Sequence, residues 1–172
     1  MGKTNYILIC ILSLLLLTSF SVEQNCVVRT IEKEVGIKEA TGNNDGKRVE
    51  EYLRTTNLGK GFSWCASFVK WAFLKCGIKT PITAWSPTAH NSKNIVYFKN
   101  RFEQEPKPGD VFTIYSINQK RIVHTGFFYN FYNSRIYETI EGNTNNNGSS
   151  NGDGVYKRKR SYHQTYSITR WL

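Results

Sequence analysis

Gly61-Phe62-Ser63-Trp64-Cys65-Ala66-Ser67-Phe68-Val69-Lys70-Trp71 sets a cysteine where a loop ends and an apolar helix begins. Orphan N–H groups and the positive end of the helix dipole favour a thiolate at such a place, and the thiolate is the nucleophilic form of cysteine. The helix reads from about Cys65 to Cys76. Phe68, Val69, Ala72, Phe73 and Leu74 make most of its surface apolar, so it belongs in the centre of a core, and Gly77 stops it.

Two shorter helices precede it. Val27, Val28, Ile31 and Val35 recur at helical spacing, and Asn43-Asn44-Asp45-Gly46 forms a turn and cap leading into a helix striped by Val49, Tyr52 and Leu53. Beyond Pro106-Lys107-Pro108-Gly109-Asp110 the period changes to that of strands: Val111–Tyr115, Ile122–Tyr129, Arg135–Ile140 and a closing Val155–Arg160. Asn130–Ser134 is a turn, and Asn143–Gly154 a Gly/Asn/Ser loop expected to be mobile. Helices first and an antiparallel sheet second predict an α+β fold in which the cysteine-bearing helix packs on the sheet.

The chain of 172 residues opens with Lys3 and an apolar run from Tyr6 to Leu17, too short to span a bilayer, followed by Ser19-Phe20-Ser21. This reads as a signal peptide over 1–21, leaving one domain over 22–172 that is exported to the periplasm or the extracellular space, without stable membrane insertion. Loss of Lys3 leaves 22 basic and 13 acidic residues, a charge of +9 that suits an anionic polymer. No helix-turn-helix, zinc-finger or RNA-binding signature accompanies that charge, so nucleic acid is not the expected partner.

Cysteine usage agrees with export. Cys10 leaves with the signal, and the odd set Cys26, Cys65 and Cys76 implies a free thiol. Cys65 and Cys76 lie roughly 16 Å apart along one helix, beyond disulfide reach. A Cys26–Cys76 bridge stays open, with a small buried apolar role the expected one for Cys76. His90, His124 and His163 are too scattered for a zinc site, and no metal or cofactor is expected.

Cys65 needs a base and an orienting group to act as an acyl-transfer nucleophile. His124 sits in the second strand, and Glu141 and Asn143 lie at the end of the third. With the hairpin centred between Tyr132 and Asn133, His124 stands directly opposite Glu141, within reach of its carboxylate. Asn143 competes with Glu141 as orienter. Trp64 and Trp85 are candidates to line a groove for a sugar–peptide polymer, although most aromatics in a small domain are core. Lys157-Arg158-Lys159-Arg160 offers a basic patch or a strand whose alternate residues meet solvent.

These residues resemble the CHAP family of cysteine, histidine-dependent amidohydrolases and peptidases, relatives of the NlpC/P60 cell-wall enzymes. The matching parts are Asn44-Asp45-Gly46, Gly61-x-x-Trp64-Cys65-Ala66-x-Phe68-Val69, Pro108-Gly109-Asp110-Val111, His124 and Glu141-x-Asn143, in order from about Gly42 to Arg160. The resemblance implies a papain-like fold and cleavage of an amide bond of peptidoglycan. The bond is N-acetylmuramoyl-L-alanine or one within the stem or cross-bridge peptide. Cys65 is then the nucleophile, His124 the base, Glu141 or Asn143 the orienter, and Trp64, Trp85 and Asp45 contact substrate. Thr125 departs from the small apolar residue common after the histidine. A non-catalytic wall-binding module of the same fold and a secreted papain-like protease are the rival expectations.

Overall fold

The computed structural model describes residues 22–146 and 152–172. The expected signal peptide, and residues 147–151 of the loop read as mobile, lie outside them. Among the described residues no helix is long and apolar enough to cross a membrane.

The fold is α+β. A first helix, α1, covers 22–34; α2 is Lys47–Arg54 and α3 is Cys65–Lys75. The strands are β1 (Ile95–Phe98), β2 (Arg101–Phe102), β3 (Val111–Ser116), β4 (Arg121–Phe131), β5 (Ile136–Thr144), β6 (Gly154–Ser161) and β7 (Ser167–Thr169). They form one sheet in the order β2-β1-β7-β3-β4-β5-β6, antiparallel throughout. The strand expected to close the domain, β6, is therefore an edge, and β7 returns to the interior between β1 and β3.

Both faces of the sheet are covered, which is why its strands do not alternate simply between apolar and polar. Val111, Phe127 and Ile140 pack against Phe68, Phe73 and Val69 of α3, with Val27 and Ile31 of α1 in the same cluster. Their neighbours Phe112, Phe128 and Tyr137 join Val96, Tyr97, Tyr162 and Ile168 in a second cluster. Gly142 sets the spacing of α3 on the sheet. A Cβ there would come 2.6 Å from Trp64 Cζ3 and 2.8 Å from Phe68 Cβ.

Glu34 at the end of α1 is buried but satisfied. Arg48 donates from Nε (2.7 Å) and Nη2 (2.5 Å), and the Tyr52 hydroxyl donates at 2.5 Å, joining α1 to α2. Val35 lies beyond the helix and is 37% exposed, so the expected apolar stripe of α1 narrows to Val27 and Ile31. Cys26 and Cys76 form a disulfide, with Cα atoms 5.8 Å apart, that ties α1 to the end of α3. This corrects the expectation of a plain buried thiol at Cys76. The two positions are 50 residues apart in sequence, and only packing of the two helices brings them together.

The β4–β5 register also differs from expectation. Phe131 pairs with Tyr137, which moves the turn centre three residues along in pairing terms, because the Asn133 side chain accepts from the N–H groups of Arg135 and Ile136. A bulge between Phe128 and Asn130 returns one residue, so the ladder continues as Phe127↔Ile140, a net displacement of two. A displacement of one would have moved every side chain to the other face; a displacement of two keeps the face.

Candidate active site

Cys65 is the first residue of α3, and its loop is held from two sides. Gly61 N–H donates to the Asn44 carbonyl at 2.9 Å. With its amide set to match its neighbours, Asn143 accepts from Trp64 N–H (3.0 Å) and donates to Asn44 Oδ1 (3.2 Å) and the Gly152 carbonyl (3.0 Å). Asn143 thereby satisfies one of the four N–H groups that a helix start leaves unpaired. Its backbone has φ 56°, a left-handed conformation that asparagine tolerates better than most residues. Asn143 therefore holds the loop before Cys65, and of the two candidates it is Glu141, not Asn143, that hydrogen-bonds His124.

Glu141 is reached diagonally. Continuing the β4–β5 pairing one step sets it opposite Gly126, two residues from His124 on the same face. A Cβ on Gly126 would stand 3.0 Å from Glu141 Cγ, so the glycine provides the space through which the carboxylate passes. His124 Nε2 then lies 2.8 Å from Glu141 Oε2, with both side chains buried at 1% and 0% exposure. An ionised carboxylate only accepts, so Nε2 carries the proton. The remaining ring nitrogen, Nδ1, is buried without a nitrogen or oxygen partner, and Cys65 and Glu141 are the side chains that act on the ring.

The electrostatics follow from this arrangement. Burial alone would push the Cys65 thiol up. Interaction with His124, helped by the Ser86 hydroxyl and the Thr125 backbone, overrides it and holds the thiol below its ordinary value. Burial likewise opposes charge on His124, yet Cys65 and Glu141 raise it to about 9. Glu141 is lowered to about 2 despite burial, through Arg160 and His124. These shifts favour charge on His124 beside Cys65, with an ionised Glu141 on the far side of the ring.

Further groups in the site carried no signal of their own in the sequence. Ser86, at the start of a 3-10 turn (Ser86–Ala89), places Oγ 3.6 Å from Cys65 Sγ. Thr139 Oγ1 donates to Glu141 Oε1 at 2.5 Å. Arg160 donates to both oxygens of Glu141, Nε to Oε1 at 2.7 Å and Nη2 to Oε2 at 2.5 Å. A cleft of about 520 Å³ opens on the flank of His124, walled by Ile114, Tyr115, Arg160, His163 and Gln164.

The three candidate substrate contacts fare differently. Trp85 is 59% exposed and precedes Ser86, whose hydroxyl meets Cys65. Trp64 is fully buried against Tyr52 and Phe68, with its indole N–H donated to Glu39 at 2.8 Å; it is core, not groove. Asp45 closes its own loop by accepting from Thr41 N–H (2.9 Å) and Oγ1 (2.8 Å), and it neither caps α2 nor reaches the site. Its neighbour Asn44 makes the connection instead. Among the described residues no group of three or more His, Cys, Asp or Glu is placed to hold a metal ion. Comparison of the chain with protein-family models and with curated proteins gives no match.

Proposed function

We propose that the protein is an exported, papain-like cysteine hydrolase of the CHAP type that cleaves an amide bond in the peptide of peptidoglycan. One observation carries this reading: a helix-start thiol coupled to a buried imidazole whose far nitrogen is held by an ionised carboxylate. Inert core cysteines have no use for such an arrangement.

The Cys65 thiolate attacks the amide carbonyl and forms the C–S bond. The oxyanion that develops is stabilised by Cys65 N–H, which as a first-turn amide has no intrahelical acceptor, and by the Ser86 hydroxyl. His124 gives its Nδ1 proton to the leaving amine as the C–N bond breaks. Neutral Nδ1 then takes a proton from water, which attacks the thioester and releases the acid, and the proton on Nδ1 restores the ion pair.

The disulfide supports an oxidising compartment. An anionic wall polymer is supported by the formal charge of +10 of the whole chain. It is supported also by a face on which Lys157 lies 4.3 Å from the Tyr129 ring centroid and Lys159 lies 3.5 Å from that of Tyr132. Purified peptidoglycan digested with the chain lacking residues 1–21, and with its Cys65→Ala variant, tests the proposal. New muropeptides from the first alone are expected, and their masses name the bond. Binding to the wall without products from either protein rejects catalysis in favour of a wall-binding module, and digestion of casein instead indicates a general protease.

A further inference from the structure

Lys157-Arg158-Lys159-Arg160 alternates between exposed lysines and half-buried arginines, and of the two arginines it is Arg160 that meets a carboxylate. Arg160 belongs to β6, where it pairs with Tyr137 of β5, and only about a tenth of its side chain is exposed. Its partner Glu141 has every strong acceptor position occupied: Nε and Nη2 of Arg160, Nε2 of His124 and Oγ1 of Thr139. A carboxylate bound by four donors from three strands cannot turn away from the imidazole.

We infer that Arg160 is the positioning residue of the site: its guanidinium fork keeps Glu141 ionised and aimed at Nε2 of His124, leaving Nδ1 to exchange its proton with Cys65. This deepens the hydrolase reading, since it takes Cys65 as the nucleophile. Arg160 never touches the reacting atoms and acts through Glu141.

The chemistry explains why an arginine is needed there. A carboxylate buried without compensation would protonate rather than ionise. A neutral acid at 141 could donate to Nε2, which would reverse the tautomer and put the imidazole proton on the side of the thiol without an ion pair. The planar fork fixes both oxygens at once, which a lysine ammonium cannot do. The groups facing Arg160 are Glu141 and Tyr137 on β5, Arg158 on its own strand, His124 across the sheet and His163 on the wall of the shared cleft. Glu141 is the one carboxylate among them.

The test uses alkylation of Cys65 by iodoacetamide, read by mass spectrometry across pH 4 to 10, and needs no substrate. Arg160→Gln should move the onset of alkylation to higher pH and slow it about tenfold at pH values below the wild-type onset, the effect of about one pKa unit on the thiolate fraction. Arg160→Lys, which keeps the charge and loses the fork, should fall between the two. Thermal unfolding of each variant is followed alongside. A lower melting temperature with an unmoved alkylation profile would show a purely structural role and overturn the inference. Should Arg160→Gln not fold, the lysine variant decides alone: a profile identical to wild type rejects the inference, and a displaced one upholds it. Silence of the wild type on peptidoglycan with a displaced Arg160→Gln profile would reject the hydrolase reading and leave the positioning role standing.

Discussion

Replacing Glu141 by glutamine keeps the shape of the side chain and removes its charge from a fully buried position. In the wild type the carboxyl is lowered to about 2 from an ordinary 4.5. Charge on a group whose folded value is depressed contributes stability that is fully present above the unfolded value, and loses it as pH falls through the folded one. By that linkage the shift corresponds to about 3 kcal/mol at neutral pH. The substitution also leaves Arg160 largely buried without a counter-charge, and breaking a buried pair on one side costs a similar amount, about 3–5 kcal/mol. Glu141→Gln should therefore melt roughly 10 °C below wild type at pH 7 for a domain of this size. Urea unfolding of both proteins between pH 7 and pH 2 tests the cause. The gap should be constant down to about pH 5 and close progressively between the two carboxyl values, because the wild type loses its charge there and the variant has none to lose. A gap that persists undiminished at pH 2 would refute the argument, since it would mean that shape or packing, not ionisation, supplies the stability. The same variant should lose peptidoglycan cleavage, because Nε2 no longer has an anion to support the imidazolium.

Cleavage should describe a bell against pH. It falls on the acid side as the Cys65 thiolate is protonated, and on the alkaline side as the imidazolium that protonates the leaving amine is lost through about 9; a profile still rising at pH 10 contradicts the ion-pair assignment. Asn143→Ala loses the acceptor for Trp64 N–H and puts a non-glycine, non-asparagine residue at φ 56°, together a loss of about 2 kcal/mol in unfolding experiments with slower cleavage. Asn143→Gly should recover the stability due to the backbone and leave cleavage slow, which separates the two effects. Cys26→Ser with Cys76→Ser should lose about 4 kcal/mol, the loop-closure value for a separation of 50 residues, while Cys65 alkylation at 15 °C keeps its wild-type rate.

The reach of sequence reasoning divides along a physical line. The start of α3 and its cysteine were legible because the end of the loop and the apolar run that follows it lie in consecutive residues. The three-residue strand β7, and β1 after Pro81, were not, because Ser167-Ile168-Thr169 becomes a strand only by lying between two others. Trp64 escapes sequence reasoning for a related reason: its place beside Cys65 suggests a substrate contact, but the helix start turns its ring inward to Glu39.

His124 and Glu141 illustrate the boundary case. Their adjacency was reached through a register that is wrong by two residues, and it survived because strand side chains alternate with period two. Face is a property of parity and can be read locally; distance along the sheet depends on the Asn133 turn and the Tyr129 bulge, which are long-range choices. Arg160 lies on the far side of that boundary. Strand alternation separates the exposed Lys157 and Lys159 from the half-buried Arg158 and Arg160, but nothing in the run distinguishes Arg160 from Arg158 as the partner of a carboxylate. Only the buried carboxylate on the neighbouring strand selects it. Charge compensation in this site is therefore the part that a single sequence conceals most thoroughly: the anion that supports His124 is neutralised from β6, and the two strands that supply the pair are joined through the 145–153 loop rather than through any local motif.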